Sequence, residues 1–363
     1  MTKHSRDDLK PTYLVTGAAG FIGSALVRLL LAQRDARVIS VDALTYAGDV
    51  RRLDAVSSNP EHRFVKLDVR DGQSLLELMV EERPSALFHL AAETHVDRSI
   101  DGPEAFVTTN VLGTLRVLEA VRAYFERISR AEQNSFRLVS VSTDEVYGSL
   151  GPEGVFTEET PFAPRSPYSA SKAGADHLAL AYFHTYGVPV LVTHGSNNYG
   201  PFQFPEKLLP LALTRAMAGE NVPLYGNGEN VRDWLHVDDH ARGLLAAARR
   251  GRPGESYLFG GGNERSNRAL LDLALGLLGE LAPGRDYREL ITLVADRPGH
   301  DFRYAVDTAK AERELGWRPV VPIEQGVRET VAWYLSNSEW VRSVAEGRYG
   351  LERLGVGTVE QAS

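Results

Sequence analysis

Two acidic residues stand side by side where a strand-like run ends, in the segment STDEVYG at residues 142–148. The preceding run, FRLVSV, has the length and apolar character of a buried strand. Two carboxyl groups so close resist ionising together, so one is expected to keep its proton to higher pH. Asp144 and Glu145 can therefore supply an acid and a base within a few ångströms. The local sequence is equally compatible with a solvated turn in which both residues cap a helix.

A tyrosine and a lysine four residues apart, in YSASK at residues 168–172, form a second candidate group. The spacing is one helical turn, so both side chains can face the same way. An ammonium group beside a phenol stabilises the phenolate and lowers the pKa of the phenol. Tyr168 would then be a base that takes a hydroxyl proton while hydride leaves for a nicotinamide. The alternative is a packing tyrosine beside an exposed lysine.

Three glycines, Gly17, Gly20 and Gly23, lie in TGAAGFIG between the first strand-like run and the first helix-like run. Glycines there permit a tight turn and let a pyrophosphate approach the backbone at a helix N-terminus. An ordinary βα turn is the alternative. Asp42 ends the next run, VISVD, where its carboxylate can accept both hydroxyls of an adenosine ribose, which favours NAD over NADP. Asp68, which ends FVKLD, either reaches the adenine edge or is a turn residue.

The elements that must position these residues are strand-like runs alternating with runs of helical length. Repeated βα units predict an α/β fold, a Rossmann-type doubly wound parallel sheet with helices on both faces. Ligands of such sheets bind beyond the carboxyl ends of the strands, where STDEVYG would lie. We predict a cofactor-binding domain at residues 11–197, with returning segments near 231–260 and 303–332. A smaller, interleaved α/β substrate-binding domain is predicted mostly at residues 198–350.

Composition excludes several classes of protein. The chain has 363 residues, no cysteine and a net charge of −8. Thiolate nucleophiles, disulfides and cysteine-ligated zinc are therefore excluded, and an acidic chain without a long basic block is not expected to bind nucleic acid. No apolar run is long enough to span a membrane, so we expect a cytoplasmic protein with no membrane partner. No metal site is predicted.

Together, TGAAGFIG, HLAAETHVDRS, STDEVYG and YSASK resemble the extended short-chain dehydrogenase/reductase family. From about Thr12 to Tyr334 the chain is similar to the dTDP-glucose 4,6-dehydratases of that family. The resemblance implies oxidation of the sugar at C4 with bound NAD, loss of water across C5–C6, and return of hydride to C6. Glu145 would be the base at C5, Asp144 the acid for the C6 hydroxyl, and Thr143 a hydroxyl that polarises the C4 oxygen.

The resemblance also assigns ligand contacts along the chain. Candidate contacts to NAD are Gly17, Gly20, Phe21, Ile22, Gly23, Asp42, Leu44, Thr45, Asp68, Val69, Leu90, Ala91, Ala92, Thr109, Ser142, Tyr168 and Lys172. Candidate contacts to the nucleotide sugar are Thr94, Asn197, Lys207, Leu208, Pro223, Tyr225, Arg232, Asn267, Arg297 and His300. Tyr225 would stack on the pyrimidine. For each arginine taken singly, a surface ion pair is the alternative. Glu206 is interpreted as structural.

The chain departs from the family pattern in two places. His194 and Gly195 stand where an arginine or asparagine and then a cysteine are common, and Leu258–Phe259 stands where Asn-Ile is usual. The first departure lies near the nicotinamide end, so cofactor retention or rate could differ.

Alternatives to this reading are a UDP-hexose 4,6-dehydratase, a UDP-hexose 4-epimerase, and an NAD-sensing regulator without chemistry. The regulator would be expected to lack Tyr168 or Lys172, and both are present. The long runs at residues 106–125 and 170–186 are apolar on more than one face. They predict a homodimer in which each subunit contributes a helix pair, unless both runs simply face the sheet.

Overall fold

The computed structural model describes residues 10–296 and 299–348, and its centre is a seven-stranded sheet. The strands are β1 (Thr12–Thr16), β2 (Arg37–Asp42), β3 (His62–Lys66), β4 (Ala86–His89), β5 (Arg137–Thr143), β6 (Val190–Gly195), β7 (Asn197–Tyr199), β8 (Val222–Tyr225), β9 (Val231–His236), β10 (Ser256–Phe259), β11 (Glu264–Ser266) and β12 (Ile291–Val294). The large sheet has the order β3-β2-β1-β4-β5-β6-β10, and every pair in it is parallel. The predicted doubly wound parallel sheet is confirmed.

Helices cover both faces of this sheet. Within the described residues they are α1 (Phe21–Ala32), α2 (Gly72–Glu82), α3 (Val96–Asp101), α4 (Pro103–Phe106), α5 (Thr114–Phe125), α6 (Arg130–Ser135), α7 (Pro167–Tyr186), α8 (Leu208–Met217), α9 (Val237–Arg250), α10 (Asn267–Leu281), α11 (Ile323–Ser336) and α12 (Ser338–Arg348). Over those same residues, no helix combines the length and the apolar character that crossing a lipid bilayer requires.

Adjacent strand residues are buried against opposite helical layers. Val15 packs in the core that contains α1 and α9, whereas Leu14 packs in the core that contains α2, α5 and α7. Both side chains are fully buried. Because β1 is covered on both faces, its sequence shows no alternation of apolar and polar residues.

A second group of elements stands beside the large sheet. Strands β7, β9 and β11 form a small sheet, β8 pairs with β12, and helices α8, α10 and α11 share a separate apolar core. The segment 231–260 divides between the two groups, because β9 belongs to the small sheet while α9 and β10 pack with the large one. The domain boundaries themselves stay a prediction.

The carboxyl ends of β1 and β4 approach each other closely at the glycine turn. Gly17 has a φ of +69°, and a Cβ built on it would lie 2.7 Å from the backbone nitrogen of Ala91. A Cβ on Gly23 would lie 2.1 Å from the carbonyl oxygen of Gly17. Side chains at either position would push α1 and the strand ends apart. These glycines therefore shape the edge of the sheet at which the predicted site lies.

Candidate active site

A cavity of about 420 Å³ lies at the carboxyl edge of the large sheet. Its volume is in the usual range for sites that hold small molecules. Every residue predicted to contact NAD lines it except Leu44. The same cavity is lined by Thr143, Asp144 and Glu145, and it extends to Thr94, Asn197 and Lys207. One continuous space thus joins the predicted cofactor contacts to the predicted catalytic residues.

The glycine turn and Asp42 form one end of the cavity. Gly20 is the N-cap residue of α1 and has no side chain to cap it, so the first-turn N–H groups of the helix are available to an anion. The Asp42 carboxylate accepts hydrogen bonds from the backbone N–H groups of Ala19 (2.9 Å) and Leu44 (2.7 Å). Burial raises the pKa of Asp42. The glycine turn leaves room for a pyrophosphate against the backbone, and the Asp42 carboxylate is held where it can accept the ribose hydroxyls. This end of the cavity therefore fits NAD.

Asp68 lies farther along the same wall, two residues after the end of β3. Its carboxylate is paired with the Arg70 guanidinium at 2.6 Å, and this pairing lowers the pKa of Asp68. Both residues line the cavity. Asp68 is therefore at once a turn residue and a lining residue, so its two predicted roles are compatible.

The acid pair follows β5 directly. The chain turns into a 3₁₀ helix at Asp144–Tyr147, and the Thr143 hydroxyl caps it by accepting a hydrogen bond from the N–H of Glu145 at 3.3 Å. The same hydroxyl donates to Oδ1 of Asp144 at 3.3 Å. The predicted alternative of a helix-capping turn is therefore partly realised by Thr143, while Asp144 itself is buried.

Asp144 is 1% exposed, and its Oδ2 has no hydrogen-bond partner among the described residues. Burial is the main cause that raises the pKa of Asp144 to about 8, and the charges of Glu145 and Asp233 add to it while Arg232 opposes it. The sequence predicted that one of the two carboxyls would titrate high because of its neighbour. The direction is as predicted, but desolvation contributes more than the neighbouring charge.

Tyr168 and Lys172 lie one turn apart on α7, and both are buried. The prediction that Lys172 lowers the pKa of Tyr168 is wrong for the protein alone. The pKa of Tyr168 is raised well above its ordinary value, because burial and then the Glu145 carboxylate disfavour the phenolate. The Lys172 ammonium instead donates to the carbonyl oxygen of Val141 at 2.8 Å. Its position beside the cavity is as predicted.

His194, which departs from the family pattern, takes part in a buried chain of hydrogen bonds. Oδ2 of Asp176 accepts from the Ser142 hydroxyl at 2.6 Å and lies 3.2 Å from Nε2 of His194. Nδ1 of His194 lies 3.2 Å from the Tyr147 hydroxyl. All four side chains are buried. His194 therefore supports Ser142, a predicted NAD contact, from behind the cavity.

The neighbouring departure, Gly195, has a packing cause. A Cβ on Gly195 would lie 2.6 Å from the ring of His240. The larger cysteine that is common in the family cannot occupy this position unless the ring moves. Both Gly195 and His240 line the cavity.

The predicted substrate contacts divide into two groups. Thr94, Asn197 and Lys207 line the cavity, and the Lys207 ammonium donates to the carbonyl oxygen of Thr94 at 3.1 Å. The cavity lining does not include Leu208, Pro223, Tyr225, Arg232, Asn267 and His300. Arg297 lies outside the described residues.

The second group is already engaged in contacts. Arg232 donates to the carbonyl oxygens of Asp301 and Phe302, and its guanidinium lies 4.4 Å from the centre of the Tyr304 ring. The Tyr225 hydroxyl donates to Oδ2 of Asp97 at 3.3 Å. The rings of Tyr225 and His300 meet edge to face, with centres 6.2 Å apart. Arg232, Tyr225 and His300 are thus held by contacts with other residues of the protein.

Some residues that line the cavity, among them Arg52 and Glu206, were not predicted from the sequence as site residues. Arg52 is 1% exposed, and it donates to the carbonyl oxygens of Ala19 (2.9 Å), Ala47 (2.7 Å) and Phe202 (3.0 Å). It thereby joins the glycine turn to the loop after β7. In the sequence it stands in DVRRLDAV, which has the pattern of a solvated helix end. Glu206, interpreted as structural, also lines the cavity and accepts a hydrogen bond from Arg98 at 3.4 Å.

Known proteins share this architecture. A family model described as GDP-mannose 4,6 dehydratase matches residues 14–330. The chain is 52% identical over 347 residues to the dTDP-glucose 4,6-dehydratase of Xanthomonas campestris pv. campestris, with 95% of this chain and 99% of the relative covered. The dTDP-glucose 4,6-dehydratase of Streptomyces venezuelae, solved with NAD and dTDP bound, is 46% identical with a TM-score of 0.85, over 92% and 99% of the two chains. The UDP-glucose 4-epimerase of Thermotoga maritima, solved with UDP-glucose, is 29% identical with a TM-score of 0.79, over 90% and 99%.

The raised pKa of Asp144 predicts a carboxylic acid in the cavity at neutral pH. Because the pKa is about 8, the infrared carbonyl stretch of a protonated carboxyl should be present at pH 7 and should decline with a midpoint near pH 8. The band should be missing from Asp144→Asn. Asp68→Asn is the matched control and should keep it, because pairing with Arg70 lowers the pKa of Asp68. A titration near the ordinary value of an aspartate would contradict the assignment.

Proposed function

The chain belongs to the GDP-mannose 4,6 dehydratase family, and from that premise we propose that it converts dTDP-glucose to dTDP-4-keto-6-deoxyglucose and water. It is an NAD-dependent hydro-lyase. The observation that carries this function is the buried, protonatable Asp144 next to Glu145, in the same cavity as Tyr168 and Lys172. Similarity over nearly the whole length of the named dehydratases agrees with it.

Tyr168 acts first, as the base that takes the proton of the C4 hydroxyl. When bound, NAD would supply hydride chemistry, as acceptor at C4 and donor at C6, and its positively charged ring would favour the phenolate of Tyr168. The Thr143 hydroxyl, at the end of β5, is placed to hydrogen-bond the C4 oxygen. Lys172 keeps a positive charge near the phenol while it anchors α7 to the carbonyl oxygen of Val141.

Elimination uses the acid pair. A ketone at C4 acidifies the C5 hydrogen, and Glu145 takes that proton as a carboxylate. Asp144 gives its proton to the C6 hydroxyl, which leaves as water. Its unpartnered Oδ2 is the oxygen available to donate. Since C5 and C6 are adjacent atoms, two adjacent protein carboxyls can serve them together.

The second candidate function is a 4-epimerase, because solved epimerases share the fold. A 4-epimerase oxidises and reduces the same carbon and expels no water, so it has no use for a protonated acid at C6. The buried Asp144 therefore favours the dehydratase. Identity to the epimerase is also lower, 29% against 52% for the dehydratase of X. campestris.

The nucleotide end of the substrate extends away from the acid pair. We place the diphosphate near Lys207 and Asn197, which line the cavity. Tyr225, Arg232, Asn267, Arg297 and His300 remain proposed contacts for the diphosphate and the pyrimidine. Thymine and uracil differ by one methyl group, for which a pocket discriminates by about 1–3 kcal/mol. We therefore expect UDP-glucose to be a poorer substrate, but still a substrate.

We further propose that the enzyme is a homodimer. Val107 and Leu112 lie in the π-helical turn that precedes α5, and they keep 54% and 38% of their surface exposed. Helices α5 and α7 pack side by side, so a copy of this face could add a helix pair from each subunit. We place the enzyme in the cytoplasm, since a chain without cysteine needs no oxidising compartment.

Conversion of dTDP-glucose tests the proposed function. The purified protein should form the 4-keto sugar without net release of NADH, and faster than it acts on UDP-glucose at the same concentration. In D₂O, deuterium should enter C5, because Glu145 exchanges its proton with solvent. Deuterium-free product, or a C4 epimer without ketone, would refute the dehydratase.

Two variants test the division of labour. Tyr168→Phe should abolish C4 oxidation while NAD stays bound, because the base is lost but the cavity is kept. Glu145→Gln should slow elimination by roughly 10²-fold or more while oxidation is affected less. Single-turnover absorbance of the reduced nicotinamide separates the two steps. Equal loss of both steps in Glu145→Gln would contradict the assignment.

The proposed interface can be broken by charge. Val107→Asp combined with Leu112→Asp should convert a species of twice 39.9 kDa into a monomer, because buried unpaired carboxylates disfavour association. Val320→Asp is the control and should leave the dimer intact, since Val320 is 60% exposed and lies outside the proposed interface. Light scattering coupled to size exclusion gives the masses. A monomeric wild type, or a dimer unaffected by the double change, rejects this face.

A further inference from the structure

If the proposed function holds, proton balance requires one transfer that oxidation at C4, loss of water and return of hydride to C6 do not supply. In each cycle Tyr168 gains the proton of the C4 hydroxyl, and Asp144 loses one proton to the departing water. Glu145 takes the C5 proton and returns a proton to C5 when hydride reaches C6. The overall reaction, glucose to 4-keto-6-deoxyglucose plus water, releases no proton. One proton must therefore pass from Tyr168 to Asp144 before the next cycle.

The Thr143 hydroxyl lies between these two groups. It donates to Oδ1 of Asp144 at 3.3 Å, and it is near enough to the Tyr168 phenol to act on the pKa of that phenol, which it lowers. It also accepts from the backbone N–H of Glu145, which fixes the hydroxyl oxygen at the end of β5. With its own proton directed to Asp144, the oxygen of Thr143 can receive the proton of Tyr168. The hydroxyl of Thr143 can thus connect the phenol of Tyr168 to the carboxyl of Asp144.

We propose that Thr143 is a proton relay that returns the proton gained by Tyr168 to Asp144, and so restores the acid for the next molecule of sugar. In the transfer, the Tyr168 O–H bond breaks as an O–H bond forms on Thr143. The Thr143 O–H bond breaks as one forms on Oδ1 of Asp144. No electron moves and no solvent proton is needed. Rotation of the carboxyl then presents the proton at Oδ2.

Burial favours this internal route over exchange with water. Tyr168, Thr143 and Asp144 are 8%, 9% and 1% exposed. The Lys172 ammonium, the other group that could take part, donates to the carbonyl oxygen of Val141. The charged groups around Asp144 are Glu145, Asp233 and Arg232.

The direction of the transfer depends on charge at the phenol. In the chain alone the pKa of Tyr168 is raised well above 10, so the phenol holds the proton more strongly than Asp144 does. A positive charge beside the phenol would favour the phenolate and therefore transfer of the proton to Asp144, and C4 oxidation requires the same condition. The relay thus restores the protonation state from which oxidation begins.

Thr143→Val and Thr143→Ser test the relay. Valine keeps the shape of threonine without its hydroxyl, whereas serine keeps the hydroxyl. With excess dTDP-glucose, Thr143→Val should slow the first turnover, because the hydroxyl at the C4 oxygen is lost, and the steady rate that follows should be slower by roughly a further 10²-fold. Rising imidazole concentration, at fixed pH and ionic strength, should accelerate that steady rate, because a small base and acid can carry the proton. The bulkier HEPES should not. Thr143→Ser and wild type should show neither the slow phase nor the imidazole response.

Infrared spectroscopy during turnover provides a readout other than rate. The protonated carboxyl band of Asp144 should be depleted in the steady state of Thr143→Val and retained in Thr143→Ser. If Thr143→Val slows the first and later turnovers equally, without response to imidazole and with the band retained, Thr143 acts only on the C4 oxygen and the relay is wrong. Thr143→Ala replaces the valine variant if the latter does not fold. A wild type that makes no ketone refutes the proposed function, whereas the relay fails only in an active enzyme.

Discussion

Burial of one carboxyl group at the end of β5 is the constraint on which the rest of the site depends. Asp144 is the first residue beyond a strand in the middle of the sheet, and the chain turns at once into a 3₁₀ helix. The side chain is therefore almost fully buried, and desolvation favours its neutral form. The buried position of Asp144 thus makes it an acid that stays protonated at neutral pH. Thr143, at the last position of the strand, holds the turn in place.

The cofactor end is shaped by backbone, since Gly17 and Gly23 leave room that no side chain could share. Arg52 adds a connection across this end. Its guanidinium binds carbonyl oxygens of the glycine turn and of the loop after β7, which leads to Lys207. A buried cation that spans these segments couples the cofactor wall to the substrate wall. Burial lowers the pKa of Arg52 to about 10, so the side chain keeps its charge at neutral pH.

The sequence allowed the parallel sheet and the position of the acid pair to be predicted, because apolar runs and strand ends follow from local patterns. The pKa of Tyr168 could not be predicted, since helical spacing places Lys172 nearby but does not show that its ammonium points to Val141. Arg232 illustrates a related limit. Its contacts with the carbonyl oxygens of Asp301 and Phe302 join segments about 70 residues apart, which no local motif encodes. Arg52 was missed for the same reason.

The difference between a dehydratase and a 4-epimerase on this fold can be stated as a difference in proton balance. An epimerase returns a proton to the oxygen it came from, so a tyrosine beside a lysine closes the cycle. A dehydratase takes a proton from the C4 hydroxyl and gives one to the C6 hydroxyl. At the end of each cycle its base therefore holds one proton too many and its acid lacks one. A buried base and a buried acid can perform that chemistry repeatedly without a solvent proton only if the two are connected. Thr143 lies on the chain directly before Asp144 and within reach of Tyr168, so the segment that supplies the acid also supplies the connection.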